Sequence, residues 1–246
     1  MLLLIAFTVP LAIAVMIFTA VGLRQWRRRT GLARKAGELG LRFSVDDLFD
    51  IPRRYAELAL MGSGHSLTAE NVAYGHQEGR LVRAFDLHYE IGHGTRRLMR
   101  RYSGVLLEMP RPLPELLVWR PSREWALPMD GDGRIGPWSY VGPRDLALAA
   151  LDAGLADAPE GGCFQVRASV LLIGLPRERF SADYYRHLPT LWKIAQALEE
   201  HCPAAPAPSD GTGQSPSPGA DAQSLPAPGR KRLQSPQRHD KNIEVS

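Results

Sequence analysis

The sequence predicts an α+β fold: an N-terminal transmembrane helix followed by an antiparallel sheet with helices packed on one face. Three observations carry that prediction. Residues 2–23 contain no charge, residues 81–91 alternate between apolar and mixed positions, and helical spacing of apolar residues dominates only late, in 144–156 and 181–201. Strands grouped before helices imply an antiparallel sheet rather than βαβ units.

The first element, 1–23, reads as a transmembrane helix. At 1.5 Å per residue its uncharged stretch is roughly 33 Å long, against a hydrocarbon core of about 30 Å. Pro10 is compatible with a span, because neighbouring groups or water can satisfy the carbonyl it frees. A cleavable signal peptide would place basic residues before a shorter apolar run. Here none precedes it, while Arg24, Arg27, Arg28, Arg29, Arg34 and Lys35 follow with no acidic residue among 24–35. Such a flank stays in the cytoplasm, so the prediction is a single-pass protein of a bacterial cell membrane, amino terminus outside and domain cytoplasmic. Trp26 would sit among the head groups. A basic cluster of this size can also recruit anionic lipid at about 1 kcal/mol per side chain, but topology accounts for these residues without a binding role. Residues 24–41 read as a separate basic juxtamembrane helix ending at Gly40 and joining anchor to domain.

Residues 42–202 form the predicted α+β cytoplasmic domain. In 81–91, Leu81, Arg83, Phe85, Leu87, Tyr89 and Ile91 make one mostly apolar face, and the residues between them make a mixed one. Residues 71–76 give an earlier strand, joined by a turn over 77–80, and 97–109 a later one, broken or bulged near Ser103 and Gly104. These three make a meander. After Pro110, Pro112 and Pro114 a short strand is predicted over 115–120, then an irregular exposed loop over 121–137. Pro143 starts a helix over 144–156. A second hairpin over 164–175 turns at Ala168 and Ser169, and a final amphipathic helix spans 181–201 with a kink at Pro189.

Residues 203–246 contain eight prolines and no Phe, Trp or Tyr, and read as a disordered Pro-rich tail. A proline-recognising module could dock there, but a solvated tail is the simpler reading. The formal net charge is only +4, which does not point to nucleic acid. Cys163 and Cys202 have no metal-ligand spacing and read as incidental thiols of a reducing compartment.

Gly64-His65-Ser66, then Asn71-Val72 with Tyr74-Gly75, then Arg83-Ala84-Phe85-Asp86 with Tyr89, carry a resemblance. With the run from Leu107 to Val118 they resemble the pattern GHS, NVxYG, RAFDxxY and LExPRPLPxLLV of a widespread group of bacterial membrane-anchored proteins of unknown function. The likeness extends from the anchor to about Arg120, with the second hairpin and last helix again similar. It implies an anchored cytoplasmic α+β domain and brings no activity or catalytic residue.

The candidates for chemistry are His65, His76, Asp86, His88 and His93. With Asp86 and His88 on one strand face and His76 opposite, a carboxylate and imidazoles could converge for acid/base work or metal binding. That face is the one opposite Phe85, Leu87 and Tyr89, so a solvated sheet surface explains it equally. The chain has no HExxH, no GxSxG and no lysine-bearing phosphate loop. Gly62, Gly64, Gly92 and Gly94 fit turns. Arg96, Arg97, Arg100 and Arg101 would divide between two strand faces, a salt-bridged rim near Glu90 and Glu108 rather than one patch for nucleic acid or lipid. The sequence thus favours a non-enzymatic, membrane-tethered interaction domain with no cofactor. Its partners would be the lipid bilayer and a membrane or cytoplasmic protein. The alternative is a membrane-tethered hydrolase or metal-dependent enzyme built on the His and Asp residues of the first hairpins.

Overall fold

The computed structural model describes residues 2–92, 94–122, 130–177 and 184–202, without the side chains of residues 2–8 and 95. The predicted tail, 203–246, lies outside the described residues, as does His93.

Anchor and juxtamembrane segment form one helix, α1 (Leu2–Glu38), rather than two. Nothing between them breaks a helix: residues 24–38 include no proline, and Pro10 is accommodated inside α1. From Val9 to Leu23 its side chains are mostly exposed, and α1 from Val9 onward is long and apolar enough to cross a membrane. Further along, Leu32 and Ala36 are buried against the domain. The helix ends at Gly40, whose φ of +70° suits the reversal after a helix.

Among the described residues nine strands form one antiparallel sheet: β1 (Arg42–Asp46), β2 (His65–Gln77), β3 (Arg80–Ile91), β4 (Leu98–Glu108), β5 (Leu116–Trp119), β6 (Gly133–Ile135), β7 (Trp138–Val141), β8 (Cys163–Arg167) and β9 (Val170–Pro176). Their order across the sheet is β1-β2-β3-β4-β9-β8-β5-β7-β6. The predicted meander is β2-β3-β4. Its first turn is the two residues Glu78 and Gly79, both at positive φ, as a tight hairpin with right-handed twist requires. The hairpin β6–β7 starts within the segment read as irregular loop. Its strands are three and four residues long, too short for alternation to show against Gly133, Gly136 and Pro137.

Alternation along each strand sorts side chains into two cores. Ala84, Val105, Val118, Phe164 and Ile173 join one core with the end of α1, with α3 (Arg144–Asp152) and with α4 (Leu188–His201). Leu191, Ile194 and Leu198 of α4 are buried there, each contributing roughly 1.5–3 kcal/mol. Phe85, Leu106, Leu117, Trp119 and Leu172 join the other core, under the short helix α2 (Ile51–Arg54) and the turns that follow, with Ile51, Leu58, Leu60 and Met61. The three longer helices therefore share one face, as the sequence predicts, but the other face is covered too. α4 begins at Leu188, with Pro189 in its first turn rather than at a kink, because a first-turn proline forfeits no helical hydrogen bond.

Pairing of β3 with β4 is unbroken through Ser103 and Gly104. Gly104 is there for packing: it faces Phe85, and a Cβ on it would lie 2.6 Å from Phe85 Cζ. The irregularities fall in β2, between His65 and Thr68 and between Glu70 and Ala73. In the second core Arg83, which is buried, donates to Glu108 at 2.7 Å and to the Tyr55 hydroxyl, and its guanidinium lies 4.9 Å from the Phe49 ring centre. Burial pushes the Glu108 carboxyl upward, but hydrogen bonds from Arg83 and Tyr55 and the charge of Arg83 prevail and hold it below its usual range.

Gly104→Ala should cost about 1–3 kcal/mol through overpacking against Phe85, and adding Phe85→Leu should recover part of it. Urea unfolding of the full chain in mild detergent would measure both, and an unchanged midpoint for Gly104→Ala would refute the packing argument. Because the folded-state pKa of Glu108 is depressed, its stabilisation is present above the unfolded value of about 4.3 and is lost as pH falls through the lower folded value. Glu108→Gln should flatten that acid limb of the unfolding midpoint below about pH 5.

Candidate functional site

On the α1 side of the sheet, β3 presents Val82, Ala84, Asp86, His88 and Glu90 in turn. The first two enter the core and the last two are partly exposed. Asp86 lies at the transition and is wholly buried, which corrects its assignment to a solvated surface. The cover is α1 itself, whose passage across β1 and β2 the sequence does not reveal.

A buried carboxylate must be compensated. Arg28 does so through a two-pronged contact, donating to Oδ2 at 2.5 Å and Oδ1 at 2.8 Å. Asn71 Nδ2 donates to Oδ2 at 2.8 Å, and Arg177 Nε lies 3.4 Å from Oδ1. Asn71 reaches Asp86 because β2 is irregular there and Asn71 adopts a φ of +53°, a conformation asparagine tolerates well. Its carbonyl accepts the hydroxyl of Tyr184, and neighbouring Tyr185 donates to the Leu32 carbonyl of α1 at 3.0 Å. Anchor helix, sheet and the turn leading into α4 therefore meet around one carboxylate.

The two arginines on Asp86 differ. For Arg28, burial lowers the pKa, but the hydrogen bond and charge of Asp86 outweigh it and the net shift is upward. For Arg177 burial is the larger effect, and despite Asp86 its pKa falls, with the charges of Arg28 and Arg101 adding to the fall. Arg177 is thus incompletely compensated.

A cavity of about 210 Å³ opens beside this cluster, between α1 and the sheet. Arg28, Arg101, Arg177, Asn71 and His88 line its polar side, together with Glu70, which is 3.5 Å from Arg29. Val21, Gln25 and Met99 line the rest. A second cavity, about 370 Å³, lies beside Glu57, Glu115, Gln165 and Arg167. There Arg167 is already paired with Glu57 at 2.9 Å and Glu115 at 3.4 Å.

The convergence of imidazoles and carboxylate on which the alternative enzyme reading depends is not found among the described residues. Asp86 and His88 share a face, but Asp86 lies opposite Glu70, and His88 opposite Thr68. His76 lies opposite Leu81, five residues along β3 from Asp86, or roughly 16 Å. His65 approaches Glu90 at 3.7 Å. Among the described residues no group of three or more His, Cys, Asp or Glu is placed to hold a metal ion.

The basic flank also divides. Arg28 enters the domain, Arg29 faces Glu70, Arg34 faces Glu38 at 3.7 Å, and Arg24, Arg27 and Trp26 are exposed. In the strand cluster, Arg97 pairs with Glu90 at 3.5 Å as a rim would, whereas Glu108 serves Arg83 and Tyr55, and Arg101 lines the cavity. Sequence reasoning missed Arg28 as a partner of Asp86, and missed Asn71, Arg177 and Tyr184. A single asparagine in an otherwise β-rich stretch was the available signal for Asn71.

Asp86→Asn should destabilise the full chain by roughly 3–5 kcal/mol, since it leaves two guanidiniums without their carboxylate. Combining it with Arg28→Met should cost clearly less than the sum of the two single changes. Unfolding midpoints in detergent would show it; strict additivity would mean the pair is not coupled.

No model of a known protein family matches the chain, and no curated protein matches it. Among solved structures it is similar to the crystal structure of the mycobacterial trehalose monomycolate transport factor A, TtfA, with 19% sequence identity and a TM-score of 0.49 over 74% of this chain and 97% of that one.

Proposed function

We propose that the chain is a single-pass membrane protein in which 2–23 of α1 cross the bilayer, amino terminus outside, and the α+β domain works at the cytoplasmic face of a bacterial membrane as a non-enzymatic interaction domain. The observation that carries this reading is the division of α1 into an exposed apolar part and a part fastened to the sheet through Arg28, Leu32 and Ala36. An exposed stripe of Leu11, Ile13, Met16, Ile17 and Phe18 is unfavourable in water and favourable in lipid. The basic excess at 24–35 supports the orientation.

The non-enzymatic part rests on how Asp86 is held. A carboxylate whose two oxygens already accept from Arg28 and Asn71, with Arg177 beside it, has no free position from which to take a substrate proton.

A reporter fused after Ser246 should be active on the cytoplasmic side, and the protein should remain in the membrane fraction after alkaline carbonate washing. Activity on the outer side would overturn the orientation, and a mature chain beginning near Leu23 would overturn the anchor. Neutralising Arg24, Arg27, Arg34 and Lys35, which spares the partners of Asp86 and Glu70, should weaken the topological preference.

A further inference from the structure

We propose that the cavity between α1 and the sheet binds the phosphate of an anionic glycerophospholipid from the surrounding membrane. This assignment rests on the membrane anchoring proposed above and names a ligand for the domain that the anchor holds there.

Position is the first argument. Val21 belongs to the uncharged part of α1 and Gln25 lies one helical turn further on; both line the cavity. With the apolar stretch in the hydrocarbon core, the cavity mouth lies at head-group depth. The opposite rim is the start of β4, where Met99 lines the cavity and Leu98 precedes it, 48% and 53% exposed. Two exposed apolar residues beside Arg101, level with the end of the proposed membrane helix, match an interface in which acyl chains lie above and phosphates below.

Charge is the second. Glu70 is matched by Arg29, leaving Arg28, Arg101 and Arg177 around the single carboxylate of Asp86. Among the described residues Arg101 has no carboxylate partner, and its guanidinium lies 3.5 Å from the sulfur of Met99. Three guanidiniums at the cavity against one buried carboxylate leave an excess of positive charge that the negative charge of a phosphodiester would reduce, and arginine matches phosphate geometry with paired donors. Burial is the main reason the Arg177 pKa falls, and the neighbouring charges of Arg28 and Arg101 add to it.

An unpartnered polar group is the third. Asn71, 2% exposed, gives its Nδ2 to Asp86 while its Oδ1 is buried without a hydrogen-bond partner. A hydroxyl of a glycerol head group would supply the missing donor. At about 210 Å³ the cavity falls below the roughly 300–1,000 Å³ usual for whole small-molecule ligands, and suits a head group whose acyl chains stay outside.

Free phosphate offers the same chemistry as the lipid, but not the use of the Val21 and Met99 rim. The test is calorimetric titration of the full chain in a neutral detergent with dihexanoyl phosphatidylglycerol, with sn-glycerol 3-phosphate and with inorganic phosphate. The lipid should bind at least about tenfold more tightly than either soluble phosphate, and Arg101→Gln should weaken it about tenfold. Arg97→Gln, at the exposed rim outside the cavity, should leave it unchanged. Equal affinity for lipid and inorganic phosphate would overturn the lipid assignment, as would the absence of lipid binding or equal losses in the two variants. Membrane fractionation of the same protein separates the two readings: a chain that stays in membranes yet fails these titrations refutes the site alone, whereas one that leaves the membrane after carbonate washing refutes the anchor.

Discussion

One buried negative charge organises this molecule. Asp86 has no exposure to solvent, so its charge is tolerable only while Arg28, Asn71 and Arg177 surround it. Each partner comes from a different element, and each brings a constraint. Arg28 fixes how far α1 has slid along the sheet and which of its faces is turned inward. Asn71 fixes an irregularity in β2, and Tyr184 reads that irregularity through the Asn71 carbonyl. Apolar packing of Leu32 and Ala36 supplies attraction between helix and sheet, but such contacts are non-directional. The ion pair sets the register.

The same design joins the apolar helix directly to the folded domain. Residues 24–38 are the continuation of an apolar helix and also a wall of the domain, so no linker intervenes. Around the junction the polarity changes over a few residues, from Val21 through Gln25 to Arg28. That gradient lines the cavity with apolar Val21 on one part of α1 and cationic Arg28 on another.

Much of the fold was legible because local signals agreed with it. Strict alternation in 81–91 gave β3, Pro143 gave the start of α3, and Ala168 and Ser169 gave the turn of the second hairpin, where Ala168 takes a φ of +51°. What was not legible depended on partners distant in sequence. The face carrying Asp86 looked solvated because polar and apolar residues mix there, and only the arrival of Arg28, 58 positions away, makes a buried carboxylate possible. Arg28 looked like one of six equivalent flanking charges, since charge counting cannot tell which arginine on a helix faces the protein. Gly104 looked like a break because its reason, the Phe85 ring, lies across the sheet.

The continuity of α1 has a mechanical consequence. At 1.5 Å per residue its 37 residues extend about 56 Å, of which the apolar part would answer to the bilayer in the proposed anchoring and the rest packs on the sheet. A helix clamped at one end by Arg28, Leu32 and Ala36 behaves as a lever arm. When the bilayer thins or thickens, a membrane helix adjusts its tilt to match. With no linker between the two parts of α1, a tilt of the proposed span would turn the sheet with it. Under the proposed anchoring, bilayer thickness would set the angle at which the domain meets whatever approaches it.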